Sequence, residues 1–443
     1  MDRRKFLAGA GASIGLASSA GAWAAAASED VSVNVGRDVV GALPHIWEEC
    51  IGSDRAAITL RESWRDDIAL ARRELGIKRV RFHGIFNDEL GVEARSLVNA
   101  SGSINFRNVA EVYDGLISRG LEPAVELGFM PGMLASADRT FGFYKGNISP
   151  PKSSEDWGAL IAEFARFLAG RYGIANVVRW PFEVWNEPNL QGVFWTGTQA
   201  DYFQLYKAAA VALKGVDPRI RVGGPATSST QWVPEFLSFC ATENAPVDFV
   251  SSHIYAGDKQ ERLFGPDTRY SINDVIPQAV KLARSRVRAS QFPKLPLFMN
   301  EWSSDSPAMI AHVLAGVLGE TEMMSHWVLS GTYEELGPLD YWLTSGMSSW
   351  PILMHGVPLP SYNTYRLMHA LGHERLHAEG PALASRRPDG SLAVLVWNLA
   401  EVSQPAGLPN ARAVRKVVGT EKRVTILLPA CAPGQKVSVR FVD

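Results

Sequence analysis

Eight times between residues 44 and 333, a short run of apolar, β-branched or aromatic residues gives way to a longer stretch with helical spacing. The runs are 44–51, 79–84, 122–129, 179–187, 220–226, 247–255, 296–302 and 325–333. Between two of them, Trp157, Leu160, Ile161, Phe164, Phe167 and Leu168 share one helical face behind Ser153-Ser154-Glu155-Asp156. Farther on, Tyr202, Leu205, Tyr206, Ala209 and Leu213 do the same behind Thr198. Serine and threonine are N-cap residues, so each stretch carries its own start signal. Strands that alternate with helices imply a parallel sheet, because a parallel connection needs a crossover of about a dozen residues. Eight such units suit an α/β (β/α)8 barrel, the TIM-barrel fold, better than a doubly wound sheet. The doubly wound alternative also lacks its GxGxxG fingerprint after an early strand.

The texture changes after the helix-like segment 362–371. Residues 391–398, 423–428 and 436–441 read as strands separated by Pro- and Gly-containing turns, with no helices between them. The sequence therefore predicts a barrel over 31–375 and a small antiparallel, sandwich-like β module over 376–443. The alternating segment 31–36 is placed to return and join that module.

The first 24 residues read as an address. Asp2-Arg3-Arg4-Lys5-Phe6-Leu7 precedes a weakly apolar stretch that ends in Ala22-Trp23-Ala24. The pattern is that of a twin-arginine export signal, with the mature chain starting near Ala25 and located in the periplasm or outside the cell. The apolar stretch is too short and too glycine-rich to span a membrane, so no membrane contact is expected of the mature form.

Composition removes several function classes. Lys+Arg is 44 against Asp+Glu 46, a net charge of −2, with no long basic run. Nucleic-acid binding would need phosphate-neutralising cations and is not expected. Three cysteines, Cys50, Cys240 and Cys431, make neither a disulfide framework nor a CxxC metal site. An appended β module leaves self-association into a homo-oligomer open.

Chemistry in a (β/α)8 barrel gathers at the C-terminal ends of the strands. Two of the eight runs end in a carboxylate among polar and aromatic neighbours: Trp180 to Asn189, containing Glu187, and Leu297 to Trp302, containing Glu301. A glutamate in an apolar strand is costly to bury and needs a reason. An arginine partner would suffice for one such residue. Two of them, each beside Asn and Trp, fit glycoside hydrolysis, where one acid protonates the leaving oxygen and the other attacks or activates water.

The residues around these two glutamates resemble glycoside hydrolase family 39. The resemblance lies in Phe182-Glu-Val-Trp-Asn-Glu-Pro-Asn-Leu190, Phe194-Trp195, Tyr202, Tyr206 and Val222-Gly-Gly-Pro-Ala226. It continues in Val80-Arg81-Phe82-His83-Gly84-Ile85-Phe86, Leu127-Gly-Phe-Met-Pro131, Asp248-Phe-Val-Ser-Ser-His253-Ile-Tyr255 and Tyr333-Glu334-Glu335. These motifs run in order from about residue 44 to 372. Asn-Glu-Pro alone marks a wider clan of barrel glycosidases; the combination points to this family. What the resemblance implies is a retaining enzyme with Glu187 as acid/base and Glu301 as nucleophile. Asn186 would bind the sugar 2-hydroxyl, His83 and His253 other hydroxyls, and Tyr255 would hold the nucleophile. Trp327 would pack against the sugar, with Phe129 also among the substrate-binding residues, and Glu334 and Glu335 would grip ring hydroxyls. Two departures stand out: Asn300 where members often carry Thr, and Gly331-Thr332 where Ser-Asp is common. The second puts the position of the Glu pair, and with it the sugar preference, in question. The expected activity is that of a β-xylosidase. The alternatives are another sugar of the same family's range (a β-glucoside, an arabinoside or an exopolysaccharide) and a carbohydrate-binding protein that has lost catalysis.

Rival constellations are weaker. His369, His373 and His377 stand at i, i+4, i+8, a spacing that could ligate zinc on one helix face, but Gly372 interrupts the run. The glycine-containing stretch 346–356 lacks the Lys-Ser/Thr of a phosphate loop, and no GxSxG marks a serine hydrolase. No cofactor is called for. Trp185, Trp195, Trp302, Trp327, Trp342 and Trp350 fall near strand ends or the loops after them, where stacking on a sugar face is expected.

Overall fold

A computed structural model describes residues 30–94, 103–335, 337, 351–354, 356–402, 417–418, 422–429 and 434–442. The export segment, Cys431, Trp342, Trp350 and most of the stretch 346–356 lie outside the described residues. The chain divides into two compact units.

The larger unit, whose main body is Pro44–Ala370, is built on a closed barrel of eight parallel strands. They are Ile51–Arg55, Arg79–His83, Glu122–Leu127, Pro181–Val184, Arg221–Thr227, Phe249–His253, Leu297–Trp302 and Met323–His326. Each pairs in parallel with its sequence neighbours, and the last closes on the first through His326 and Ile51. Every expected run thus overlaps a strand, although the last, 325–333, shares only Ser325 and His326 with it. The first is displaced: residues 44–50 form a turn, and the strand proper is the polar Ile-Gly-Ser-Asp-Arg. Asp54 and Arg55 are tolerated there because each is charge-paired at the barrel mouth.

The helices between strands start where their caps say. Ser153 Oγ accepts from the backbone N–H groups of Glu155 and Asp156 and opens helix Ser154–Tyr172. Thr198 and Asp201 form a capping box at the start of helix Gln199–Val216. Helix Glu62–Leu75 ends at Gly76, whose φ of 70° places it in the left-handed region. At the N-terminal ends of the strands Cys50, Ala124, Phe249, Phe298 and Met323 pack together, with the Phe249 and Phe298 rings stacked at 4.7 Å. This apolar plug fills the bottom of the barrel.

Among the described residues, the smaller unit holds 30–43, 371–401, 417–418, 422–429 and 434–440. Its sheet runs in the order Leu392–Val396, Ala382–Arg386, Glu374–Ala378, Asp30–Ala42 and Arg423–Leu427. The first three contacts are antiparallel, but Asp30–Asn34 pairs in parallel with Arg423–Leu427, so the expected all-antiparallel module is corrected at one edge. The expected boundaries move as well. The sheet takes up the N-terminal strand through Ala42, and the division behind the barrel falls after Ala370 rather than after residue 375. Val33, Val35, Leu376 and Ala384 form its core. The expected strand 436–441 is not one: Val437, Val439 and Phe441 are exposed, and no described strand pairs with them. Alternation needs a partner before it becomes a strand. Among the described residues no helix is long and apolar enough to cross a membrane.

Candidate active site

The seventh barrel strand carries Glu301 near its C-terminal end, and the fourth ends at Val184, three residues before Glu187. Glu187 leaves the strand with a φ of 40°, and its N–H donates to Ala226 O over 2.8 Å. That bond to the fifth strand turns the side chain inward, at the cost of a backbone conformation that non-glycine residues avoid. Glu187, Glu301 and His253 converge: one ligand-type atom from each, carboxylate oxygens included, lies within 4.8 Å of the others. His253 Nδ1 is 3.0 Å from Glu187 Oε1 and 3.5 Å from Glu301 Oε2. The Tyr255 hydroxyl donates to Glu301 Oε1 over 2.7 Å.

Beneath this pair runs a buried ionic network centred on Arg81, itself 1% exposed. Its guanidinium donates to Glu183 Oε2 at 2.7 Å, Glu301 Oε2 at 3.1 Å and Asn186 Oδ1 at 2.8 Å, and pairs with Glu126 Oε2 at 2.9 Å. Glu183 also accepts from Asn300 Nδ2 at 2.6 Å. His83 Nδ1 lies 2.7 Å from Glu126 Oε2. One cation among four buried carboxyls cannot keep them all ionised. Burial drives Glu126 up to about 8 and Glu187 up to about 7, against the pull of Arg81 in both cases. Glu183, buried as deeply, is instead held below the ordinary carboxylate range because Arg81, His253, Ser251 and Asn300 together outweigh the burial. Burial, reinforced by the Arg81 charge, lowers His83 to about 3, so its ring is neutral.

The remaining expected contacts divide. Phe129, Phe194 and Trp327 surround the His83 ring at 6.1, 5.8 and 4.6 Å and wall one side of it. Glu335 is buried, receives the Tyr333 hydroxyl, and is raised well above its usual pKa by burial, with Asp54, Glu301 and Glu187 adding to the effect. It therefore shares the field of the two convergent glutamates. Glu334 turns to other partners: Arg61 and Arg55 reach its two oxygens at 2.5 and 3.1 Å, and its N–H donates to Asp54.

A family model described as glycosyl hydrolases family 39 matches residues 31–407. The chain belongs to that family. A β-xylosidase of Caldicellulosiruptor saccharolyticus is 37% identical over 371 residues, covering 79% of this chain and 73% of the relative. One from Geobacillus stearothermophilus is 33% identical, covering 80% and 74%. The crystal structure of a monomeric β-xylosidase from Caulobacter crescentus CB15 superposes with a TM-score of 0.77 at 32% identity, over 90% of this chain and 84% of that one.

The family-39 protein is thus a glycosidase, an enzyme that hydrolyses O-glycosyl bonds of carbohydrates. Several expectations about its aromatic residues need correction. Trp185 and Trp195 pack edge to face at 5.0 Å, and each indole N–H donates to a backbone carbonyl, of Phe194 and Thr198 respectively. Trp302 is fully buried with its edge to His326. These three are packing residues. The histidines at 369, 373 and 377 share no helix face: the helix ends at His369, and His377 belongs to a strand of the other unit.

Sequence reasoning gave no role to Arg81, Glu126, Glu183 or Asp54. For Glu126 and Glu183 the signal was present: each is a carboxylate inside an apolar barrel strand, the same cue that singled out Glu187 and Glu301.

Proposed function

We propose that the enzyme is a retaining, exo-acting β-xylosidase in which Glu187 is the general acid/base and Glu301 the nucleophile. The observation that carries the mechanism is the approach of the two carboxylates, with oxygens within 4.8 Å of each other. Inverting enzymes hold their carboxyl groups about 6.5–9.5 Å apart to admit a water between them; retaining ones use about 5–5.5 Å.

In the first step a Glu301 oxygen attacks the anomeric carbon while Glu187 gives its proton to the glycosidic oxygen. The C–O bond breaks, the aglycone leaves as an alcohol, and the sugar is esterified to Glu301. In the second step Glu187, now a carboxylate, takes a proton from water as the water oxygen attacks the same carbon. Glu301 leaves, the sugar departs with its original configuration, and Glu187 is protonated again. Arg81 and Tyr255 fix Glu301 between them, one on each oxygen. Asn186, whose carbonyl oxygen is held by Arg81, presents its amide to the 2-hydroxyl.

Two considerations support a neutral pentose over a uronate. The two curated relatives described above are β-xylosidases. In addition, the arginines around the site, Arg55, Arg61 and Arg81, are each already paired with a protein carboxylate, whereas a uronate needs a cation turned toward it. In this reading Glu335 rather than Glu334 faces the sugar, the β module carries no catalytic group, and the N-terminal Arg3-Arg4 segment directs export. A panel of p-nitrophenyl glycosides followed by proton NMR tests the proposal. The β-xyloside should give the highest kcat/KM and β-xylose should appear first. Faster turnover of a β-glucoside overturns the sugar assignment, and α-xylose as the first product overturns retention.

A further inference from the structure

The turn that leads into the first barrel strand holds a second cluster of ligand-type side chains, at the end of the barrel away from the catalytic carboxylates. Ile46 O of this turn accepts from Met324 N at the start of the last strand, which fixes its place at the bottom rim. Here His45 Nδ1 lies 2.5 Å, and His369 Nδ1 2.8 Å, from the same oxygen, Glu48 Oε1. His369 comes from the end of helix Pro360–His369, so the cluster joins positions 321 residues apart.

Two further observations shape the site. Its inner wall is closed, with the His45 and Glu48 side chains 3% and 8% exposed, while His369 is 40% exposed and faces solvent. Gly76 clears the space beside it: a Cβ there would come within 2.5 Å of the His369 ring and 2.8 Å of Glu48 Oε2.

We propose that His45, Glu48 and His369 bind a divalent transition-metal ion of the zinc type. Two imidazole nitrogens and one carboxylate oxygen, with a fourth position open to water on the His369 side, form an N/O donor set suited to Zn2+. With metal–donor bonds of about 2.0–2.1 Å, tetrahedral ligands stand about 3.3 Å apart. The spacings to Glu48 Oε1 must therefore open from 2.5 Å by about 0.8 Å at His45 and from 2.8 Å by about 0.5 Å at His369; the exposed His369 ring can supply the second, and a small rotation of the Glu48 carboxylate the first. Each imidazole binds through Nδ1 with its remaining proton on Nε2, so the two protons now shared with Glu48 move or leave. The ion acts as a staple between the entry and the last helix of the barrel unit. It takes no part in hydrolysis.

The test uses the full chain, stripped with EDTA and dialysed into metal-free buffer, then titrated with ZnCl2 by calorimetry and followed by thermal melting. Glu187, His253 and Glu301 offer a rival trio, so Glu301→Gln is measured beside His369→Ala and Glu48→Gln. The expected result is one zinc bound with a micromolar or tighter Kd and a Tm rise of about 3 °C at a hundredfold excess over Kd. Both should persist in Glu301→Gln and be lost in His369→Ala and Glu48→Gln. Metal-free His369→Ala should hydrolyse aryl glycosides at the wild-type rate. Absence of zinc binding by the wild type overturns the proposal. So does a zinc-induced Tm rise that survives in His369→Ala or disappears only in Glu301→Gln.

Discussion

His253 Nδ1 stands 3.0 Å from Glu187 Oε1, so this imidazole is tied to the Glu187 carboxyl rather than left free. Burial keeps the ring neutral, since it pushes the His253 pKa below its usual value. Its work in the proposed mechanism is to hold Glu187, with Glu301 3.5 Å away on the same atom. His253→Ala should therefore lower kcat by about a hundredfold and leave KM nearly unchanged. Steady-state kinetics on an aryl xyloside decides this. A large rise in KM with kcat retained would return His253 to the sugar-binding set.

The two glutamates should respond differently to removal. Glu187→Ala should slow substrates with poor leaving groups by about 10²–10⁴-fold and leave dinitrophenyl glycosides far less affected, because those need no proton. Azide should restore part of the lost turnover by attacking the glycosyl ester in place of activated water. Glu301→Ala should be inactive on every substrate. A leaving-group dependence that appears in the Glu301 variant instead would reverse the roles.

Activity should fall on the alkaline side with an apparent pKa of about 7 in kcat/KM, the value to which burial drives Glu187. The sign follows from its role: the acid works protonated, so each pH unit above that value costs about a factor of ten. Burial is the principal cause, with Glu126 and Glu183 assisting, rather than a charge on Glu301. The limb should be missing in Glu187→Ala assayed with a good leaving group. Its persistence there would assign it to another residue.

Arg81 is the cation paired with three buried carboxyl groups, and Glu183 is held ionised chiefly by it. Arg81→Met should destabilise the protein by about 3–5 kcal/mol, the usual cost of stranding a buried charge. Denaturant unfolding at neutral pH measures this, and a loss under 1 kcal/mol would show that Glu183 is neutral without it.

The barrel was legible because its period is: apolar runs alternate with helical stretches, some of which carry their own caps. The first shifted only because its true strand, Ile51–Arg55, is polar enough to read as a loop. Glu187 and Glu301 were legible as costly carboxylates in apolar surroundings. Arg81 was not, since its partners Glu183 and Glu301 lie 102 and 220 positions away and only barrel closure brings them together. The turn of Glu334 toward Arg61 and Arg55 was hidden for the same reason, although the departure at Gly331-Thr332 had marked the region.

The strand Asp30–Ala42 is made early in synthesis, yet one of its neighbours, Arg423–Leu427, lies about 390 residues downstream. At about 5–20 residues per second, translation takes roughly 20–80 s to supply it. The strand's open edge must wait through that interval while the barrel is being made. A ribosome that stops short of residue 423 leaves this sheet without its last strand. Completion of this sheet therefore reports that the chain has been made through Leu427.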